Sequence, residues 1–256
     1  DLSGGGVVGL VGDRPAALAV ARALLCAAAV TSGPADLTVG VFADPHRGGA
    51  WEWCKWLPHT RSTEPGVERW LSAEPAGSDA LLRALARGAA PGTVLVVLDT
   101  AVLTTGKNAP ARDMLALARR PVAGSPGVAG IVVAATEDAL PAACNQVLTV
   151  RADGSATLLR LADGGRVEAI LAAGLSTQRA LTCARDLARF DDPELAVAGA
   201  GLPAGVRLLP LLELDMTHGE VDVAAVQARW RAGGTDPGLL APLGVTEQGV
   251  FALDLV

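Results

Sequence analysis

No lysine precedes Lys55, and only Lys107 follows it, so nearly all of the 21 basic residues are arginine. Tyrosine is absent and aromatic residues make up 3% of the chain. With alanine and glycine abundant, this skew reads as a high-GC coding bias rather than a functional signal. A basic footprint is missing too. The net charge is −6 and there is no run of Lys and Arg, which argues against direct contact with nucleic acid. The four cysteines (Cys26, Cys54, Cys144 and Cys183) are scattered. No C-x-x-C or Cys/His spacing points to zinc, so they read as buried free thiols, suited to a reducing cytoplasm. His59 has no partner in sequence for metal or triad chemistry, and no Ser/His/Asp or Cys/His pattern stands out. The longest apolar stretch, Ala16 to Val30, is about one turn short of a membrane span and carries Arg22. The chain starts at Asp1 with no methionine and no signal-like region. It is therefore expected to be a soluble piece of a longer protein.

What is present is a strand–helix alternation. Val7–Val11, Leu37–Ala43, Thr93–Leu98 and Gly130–Ala135 are short apolar runs that read as buried strands. Helices are expected over Ala16–Ala29, with an N-cap at Asp13 and Pro15 in the first turn, and over Ser78–Arg87, Ala109–Arg119 and Ser176–Arg189. A short tryptophan-rich helix is expected over Trp51–Leu57. Asp153-Gly154 between Val147–Val150 and Thr157–Leu161 signals a hairpin. The fold class is α/β: a mainly parallel sheet with helices on both faces. After Phe190 the composition shifts to a Pro/Gly linker, then helices at Leu208–Leu214 and Val221–Arg231. Two strands around Glu247-Gln248-Gly249 follow. The expected division is residues 1–190 and 191–256.

The stretch "VVGLVGDRPAALAVARALL" (Val7–Leu25) has the layout of a phosphate-binding loop without its working side chains. A Walker A loop needs backbone N–H groups around phosphate, a lysine on the terminal phosphates and a hydroxyl on Mg²⁺. With Gly12 as the first glycine, Ala17 stands at the second, Leu18 replaces the lysine and Ala19 the Ser/Thr. Asp99 ends an apolar strand where a Walker B aspartate would, but Thr100 follows in place of an acidic base. The candidate residues of this degenerate site are Gly12, Asp13, Arg14 and Asp99, with Arg14 available to meet an anion. ATP and Mg²⁺ binding is expected to be lost and no catalytic or metal residue is assigned. "GGGVVG" (Gly4–Gly9) matches G-x-G-x-x-G, but its glycines precede the strand, and only Asp44 could serve as the acidic partner. Lys107 reads as a solvated loop lysine. "WEWCKWLPHTR" (Trp51–Arg61) reads either as a helix anchored in a core groove or as an interface with Trp51, Trp53 and Trp56 as anchors. The residues leave both open.

Several blocks resemble the FtsK/SpoIIIE-type membrane ATPases, specifically the EccC-like motors of type VII secretion and related actinobacterial homologues. They are "ARALLCAAAVTSGPADLTVGVFAD", "WEWCKWLPHTR", "VLVVLD", "GIVVAATEDALPAACNQVLTV", "CARDLARFDDPE" and "APLGVTEQGVFALDL". They run in order over nearly the whole chain, and "WEWCKWLPH" is the most specific. The resemblance implies a degenerate RecA-like ATPase domain lying before the first ATPase module that carries a full Walker set. It implies a cytosolic domain of a membrane-anchored translocase. The implied partners are the downstream ATPase domains of the same chain and membrane secretion-complex subunits, with a hexamer as the candidate homo-oligomer. Leu18, Ala19 and Thr100 do not match the active-motor signatures, so no catalytic role is carried over. Two other readings stay open: a nucleotide-binding P-loop ATPase with Arg14 in the lysine's role, and a part of a DNA translocase.

Overall fold

The computed structural model describes residues 6–62, 64–88, 92–106, 108–118, 127–190, 192, 206–212, 214, 216–217, 220–232, 240–246 and 249–254. The chain forms two compact units, Asp1–Leu195 and Ala196–Val256.

In the first unit the apolar runs become strands. β1 (Gly6–Gly12) leads into α1 (Arg14–Thr31), followed by β2 (Leu37–Ala43) and the two-residue β3 (Leu71–Ser72). Then come α2 (Pro75–Gly88), β4 (Thr93–Asp99), α3 (Ala111–Leu117) and β5 (Gly127–Val133). β6 (Gln146–Val150), β7 (Ser155–Arg160), β8 (Arg166–Leu171) and α4 (Thr177–Leu187) complete it. Three 3₁₀ turns, Pro45–Ala50, Glu52–Trp56 and Pro58–Thr60, connect β2 to β3. The sheet order is β3-β2-β4-β5-β1-β6-β7-β8. The pairs from β3 to β6 are parallel, and β6–β7 and β7–β8 are antiparallel. One strand, β5, separates β1 from β4, which is the RecA-like P-loop arrangement.

The period-2 alternation of a strand sends successive side chains to opposite faces. Val94, Val96 and Leu98 of β4 pack with Leu82 and Leu85 of α2 and with Met114 and Leu115 of α3. Leu95 and Val97 pack on the other face, with Ala17, Val20, Ala21 and Leu25 of α1 and with Ala180 and Ala184 of α4. The next residue in that second series is Asp99, so the alternation delivers its carboxylate to the α1 face. α1 is long and apolar enough to pass for a membrane span by length and composition. Its stripe at Ala17, Val20/Ala21, Leu25 and Ala29 has helical spacing and is covered by the sheet core. Arg22 interrupts the apolar run without breaking the packing, because its Nε donates to the Leu175 carbonyl at 2.7 Å. Cys26, Cys54 and Cys144 are buried free thiols, and Cys183 is half-buried.

The hairpin at Asp153-Gly154 forms as expected, with Gly154 at φ +81°. The expected short tryptophan-rich helix winds as 3₁₀ over Glu52–Trp56. β8 was not expected; Arg166–Leu171 is largely exposed, with only Ile170 half-buried.

The second unit contains α5 (Leu208–Leu211), a small ladder of β9 (Met216–Thr217) with β10 (Glu220–Val221), and α6 (Val223–Ala232). β11 (Leu240–Thr246) and β12 (Gly249–Asp254) pair as an antiparallel hairpin. Arg229 of α6 donates to the Leu212 carbonyl at 2.9 Å. Glu247, Gln248, Lys107, Gly4, Gly5 and most of the Pro/Gly linker lie outside the described residues.

Candidate functional site

The connection from β1 to α1 is a single residue. β1 ends at Gly12 and α1 starts at Arg14, with Asp13 as N-cap between them. Gly12 has φ +101°, and a Cβ there would run into the carbonyl oxygen of Val150 on β6, so only glycine fits. The Asp13 N–H donates to that same Val150 carbonyl at 2.8 Å. The Asp13 carboxylate accepts from the Ala16 N–H at 3.0 Å. Pro15 has no N–H to offer.

A helix N-terminus attracts anions through its free N–H groups and its dipole. Here the Ala16 donor is already taken by an anion of the chain itself, and the Pro15 donor does not exist. There is no loop between strand and helix, and Asp13 puts a negative charge where the phosphate would sit. Leu18 and Ala19 lie inside α1, past its first turn.

Arg14 turns away from that terminus. Its guanidinium makes a two-pronged contact with Asp99, Nη1 to Oδ1 at 3.0 Å and Nη2 to Oδ2 at 2.7 Å. Adjacent strands lie about 4.8 Å apart, so β1 and β4 are separated by roughly 10 Å across β5. Arginine, carried on the helix start, is long enough to cross that gap. Arg14, read from sequence as available to meet an anion, is thus engaged by a carboxylate of the chain itself. Its partner is Asp99.

Two further donors complete the cluster. Arg47 Nη1 lies 3.2 Å from Asp99 Oδ1, and the Trp51 indole N–H donates to Oδ2 at 2.9 Å. Both come from the segment after β2, the strand next to β4. The Asp44 N–H donates to the Asp99 carbonyl at 3.1 Å, and the Asp44 carbonyl accepts from the Arg47 and Gly48 N–H groups. This ties the 3₁₀ turn to the end of β4 and aims Arg47 and Trp51 at the carboxylate. Arg47 also approaches Asp44 Oδ2 at 3.6 Å.

The Asp99 side chain is fully buried, while those of Arg14 and Arg47 are 39% and 26% exposed. A carboxylate offers about four lone-pair positions. Four donors occupy them: two from Arg14, one from Arg47 and one from Trp51. Thr100 beside it is buried and accepts from the Val102 N–H at 3.2 Å, a local turn contact with no base character. The group that the Walker layout read from sequence would hold here is a Mg²⁺–nucleotide, and these residues do not fit it. The carboxylate has no open lone pair for a metal or its water, and the phosphate cradle is missing.

Gly12, Asp13, Arg14 and Asp99, the candidate residues legible from sequence, lie together at one end of the sheet. Arg47 was not among them; its contact with Asp99 spans 52 positions in the chain. The available signal was "DPHRGGAW", a polar turn ending the strand beside β4. The tryptophans divide. Trp51 and Trp53 are 4% and 3% exposed and pack in this unit's own core, the first of the two readings left open from sequence. Trp56 is 40% exposed, with the Arg185 guanidinium 4.9 Å above its ring.

Other titratable groups are buried without forming a site. His59 is buried and its Nε2 lies 2.7 Å from the Ser32 carbonyl. Burial pushes the Cys26 thiol up to about 12, with Cys183 as its hydrogen-bond partner. Such thiols are poor nucleophiles. No group of three or more His, Cys, Asp or Glu residues suited to a metal ion occurs among the described residues. Two larger grooves, of about 440 and 600 Å³, run along α3 on the opposite face of the sheet and include none of the four donors or Asp99.

No protein-family model matches the chain. It is 29% identical over 253 residues to the ESX-4 secretion system protein EccC4 of Mycobacterium tuberculosis, a match that takes in 96% of this chain and 17% of that protein. The chain thus spans less than a fifth of that relative's length. Among solved structures it is similar to ATPases 2 and 3 of Thermomonospora curvata EccC in complex with a signal sequence peptide, with 17% identity, a TM-score of 0.49, and coverage of 100% of this chain and 52% of that one. It is also similar to ATPases 2 and 3 of EssC from Geobacillus thermodenitrificans, with 10% identity, a TM-score of 0.47, and coverage of 99% and 54%. The chain is similar to the EccC-type ATPases over nearly its whole length, as its sequence blocks indicate.

Proposed function

We propose that this chain is a catalytically inactive, ATPase-like domain of an EccC-type secretion motor, with a structural and regulatory role. The single observation that carries the reading is the saturation of Asp99 by Arg14, Arg47 and Trp51. An active site of this fold needs that carboxylate open to metal and water, and it needs a general base beside it. Loss of a general base alone typically costs about 10²–10⁴ in rate. Here the base position is Thr100 and the phosphate loop is reduced to one residue.

In this reading the domain sits on the cytosolic face of the membrane, within a longer membrane-anchored chain. Its partners are the downstream ATPase domains of that chain and membrane subunits of the secretion complex, with a hexamer as the assembly of the whole. The net charge of −6 and the lack of a basic run speak against DNA as a direct ligand. Titration calorimetry of the 256-residue chain with ATP and Mg²⁺ tests the proposal. The expected result is no binding. A dissociation constant below about 100 μM, near −5.5 kcal/mol, overturns it in favour of a working nucleotide site.

A further inference from the structure

We infer that Arg14 is a resident cation. It does permanently for Asp99 what a bound metal and nucleotide would do only while bound, and so it fixes the nucleotide end of the sheet in one state. The inference rests on the pseudo-ATPase reading and goes beyond it: the site is latched as well as inactive. Three pieces of chain meet at Asp99. Arg14 begins α1, Arg47 and Trp51 come from the turns after β2, and Asp99 ends β4. In a switching ATPase, segments of this kind shift as the ligand comes and goes. Here the ligand is covalently part of α1. The Arg14 fork meets both carboxylate oxygens in the planar, two-bond geometry that arginine supplies and lysine cannot. Arg47 and the indole N–H fill the remaining lone pairs, which leaves nothing for an exchangeable cation to compete for.

Asp99 is fully buried. Removing the Arg14 fork therefore leaves a poorly compensated buried charge and a vacant planar seat that free guanidinium matches in shape and charge. The test compares the melting temperature of the wild-type chain, Arg14→Ala and Arg14→Lys. Each is measured in low-millimolar guanidinium chloride and in sodium chloride of equal ionic strength. Arg14→Ala is expected to melt on the order of 5–10 °C below wild type, and guanidinium is expected to recover part of that loss. Arg14→Lys is expected to fall between the two, and wild type is expected to melt equally in both salts. A melting temperature of Arg14→Ala equal to wild type overturns the inference, and so does a loss that guanidinium leaves unchanged. If Arg14→Ala does not fold, Arg14→Lys decides: a lowered melting temperature supports the fork, and one equal to wild type overturns it. A rise of the wild-type melting temperature with Mg²⁺–ATP strikes the pseudo-ATPase reading instead, so the two failures are told apart.

Discussion

The indole N–H of Trp51 donates to Oδ2 of Asp99 at 2.9 Å, while the neighbouring buried indole of Trp53 has no hydrogen-bond partner among the described residues. The two tryptophans stand two positions apart in one short turn, and their polar atoms do opposite things. A hydrogen bond to a charged acceptor contributes about 1.5–3 kcal/mol, and an unpaired buried donor costs about 1–3 kcal/mol. Trp51→Phe is therefore expected to lower stability by about 2 kcal/mol, and Trp53→Phe by clearly less. Urea denaturation of the two variants checks the order. Equal losses would remove the indole from the Asp99 cluster.

Asp99→Asn keeps the shape of the side chain and removes its charge. The amide cannot accept four bonds, and its NH₂ group opposes Arg14 together with Arg47 or Trp51. Breaking a buried pair costs roughly 3–5 kcal/mol, and the partial exposure of Arg14 and Arg47 reduces that to about 2–3 kcal/mol. If Asp99 were a free metal ligand, the variant would fold as well as wild type and lose Mg²⁺–ATP binding. Denaturation and calorimetry on the same sample distinguish these outcomes.

Gly12→Ala meets two penalties at once. A φ of +101° is strained for any residue with a Cβ, and the added methyl meets the Val150 carbonyl. A loss of at least about 2 kcal/mol is expected. Gly106→Ala, at φ +98° but with open space around it, bears only the first penalty. Hydrogen exchange at the Asp13 amide, which bonds to Val150, should speed up in the first variant and stay unchanged in the second.

His59 makes stability depend on pH. The Ser32 carbonyl can only accept, so Nε2 carries the ring proton and Nδ1 is a buried lone pair without a partner among the described residues. Burial lowers the His59 pKa below its ordinary 6.5, against smaller raising effects from Ser32 and Asp192. The unfolded chain therefore binds this proton more readily than the folded one. Stability is fully present above pH 6.5 and falls as the pH drops below it toward the folded value, by up to about 1.4 kcal/mol per pH unit. His59→Gln should flatten that slope below pH 6.5. A slope unchanged by the substitution would mean that His59 is not the group responsible.

What the sequence made legible was local. Asp13 before Pro15 marked the start of α1, and its carboxylate does cap the helix. The apolar run ending in Asp99 marked β4, and Asp153-Gly154 marked the β6–β7 turn. Each signal lies within a few residues of the feature it announces. β8 escaped because Arg166–Leu171 is an exposed edge strand, and edge strands do not need an apolar run. The role of Arg14 escaped for another reason. In sequence it sits at a helix start, where an anion is the natural partner. Only the sheet order, with β5 alone between β1 and β4, shows that Asp99 lies within its reach. Arg47 and Trp51 join through the β2–β4 pairing, a relation between segments that no motif spans.

If the domain is inactive as proposed, the one-residue passage from Gly12 to Arg14 also makes that state hard to reverse. Restoring lysine at Leu18 would set it four residues into α1, about 6 Å up the helix axis from Arg14, with no phosphate beneath it. A cradle would need several residues inserted ahead of the helix, a new cap in place of Asp13, and the release of Asp99 from the four donors that three residues supply. In that reading no single substitution restores a nucleotide site, and releasing the buried Asp99 from its donors would itself cost stability.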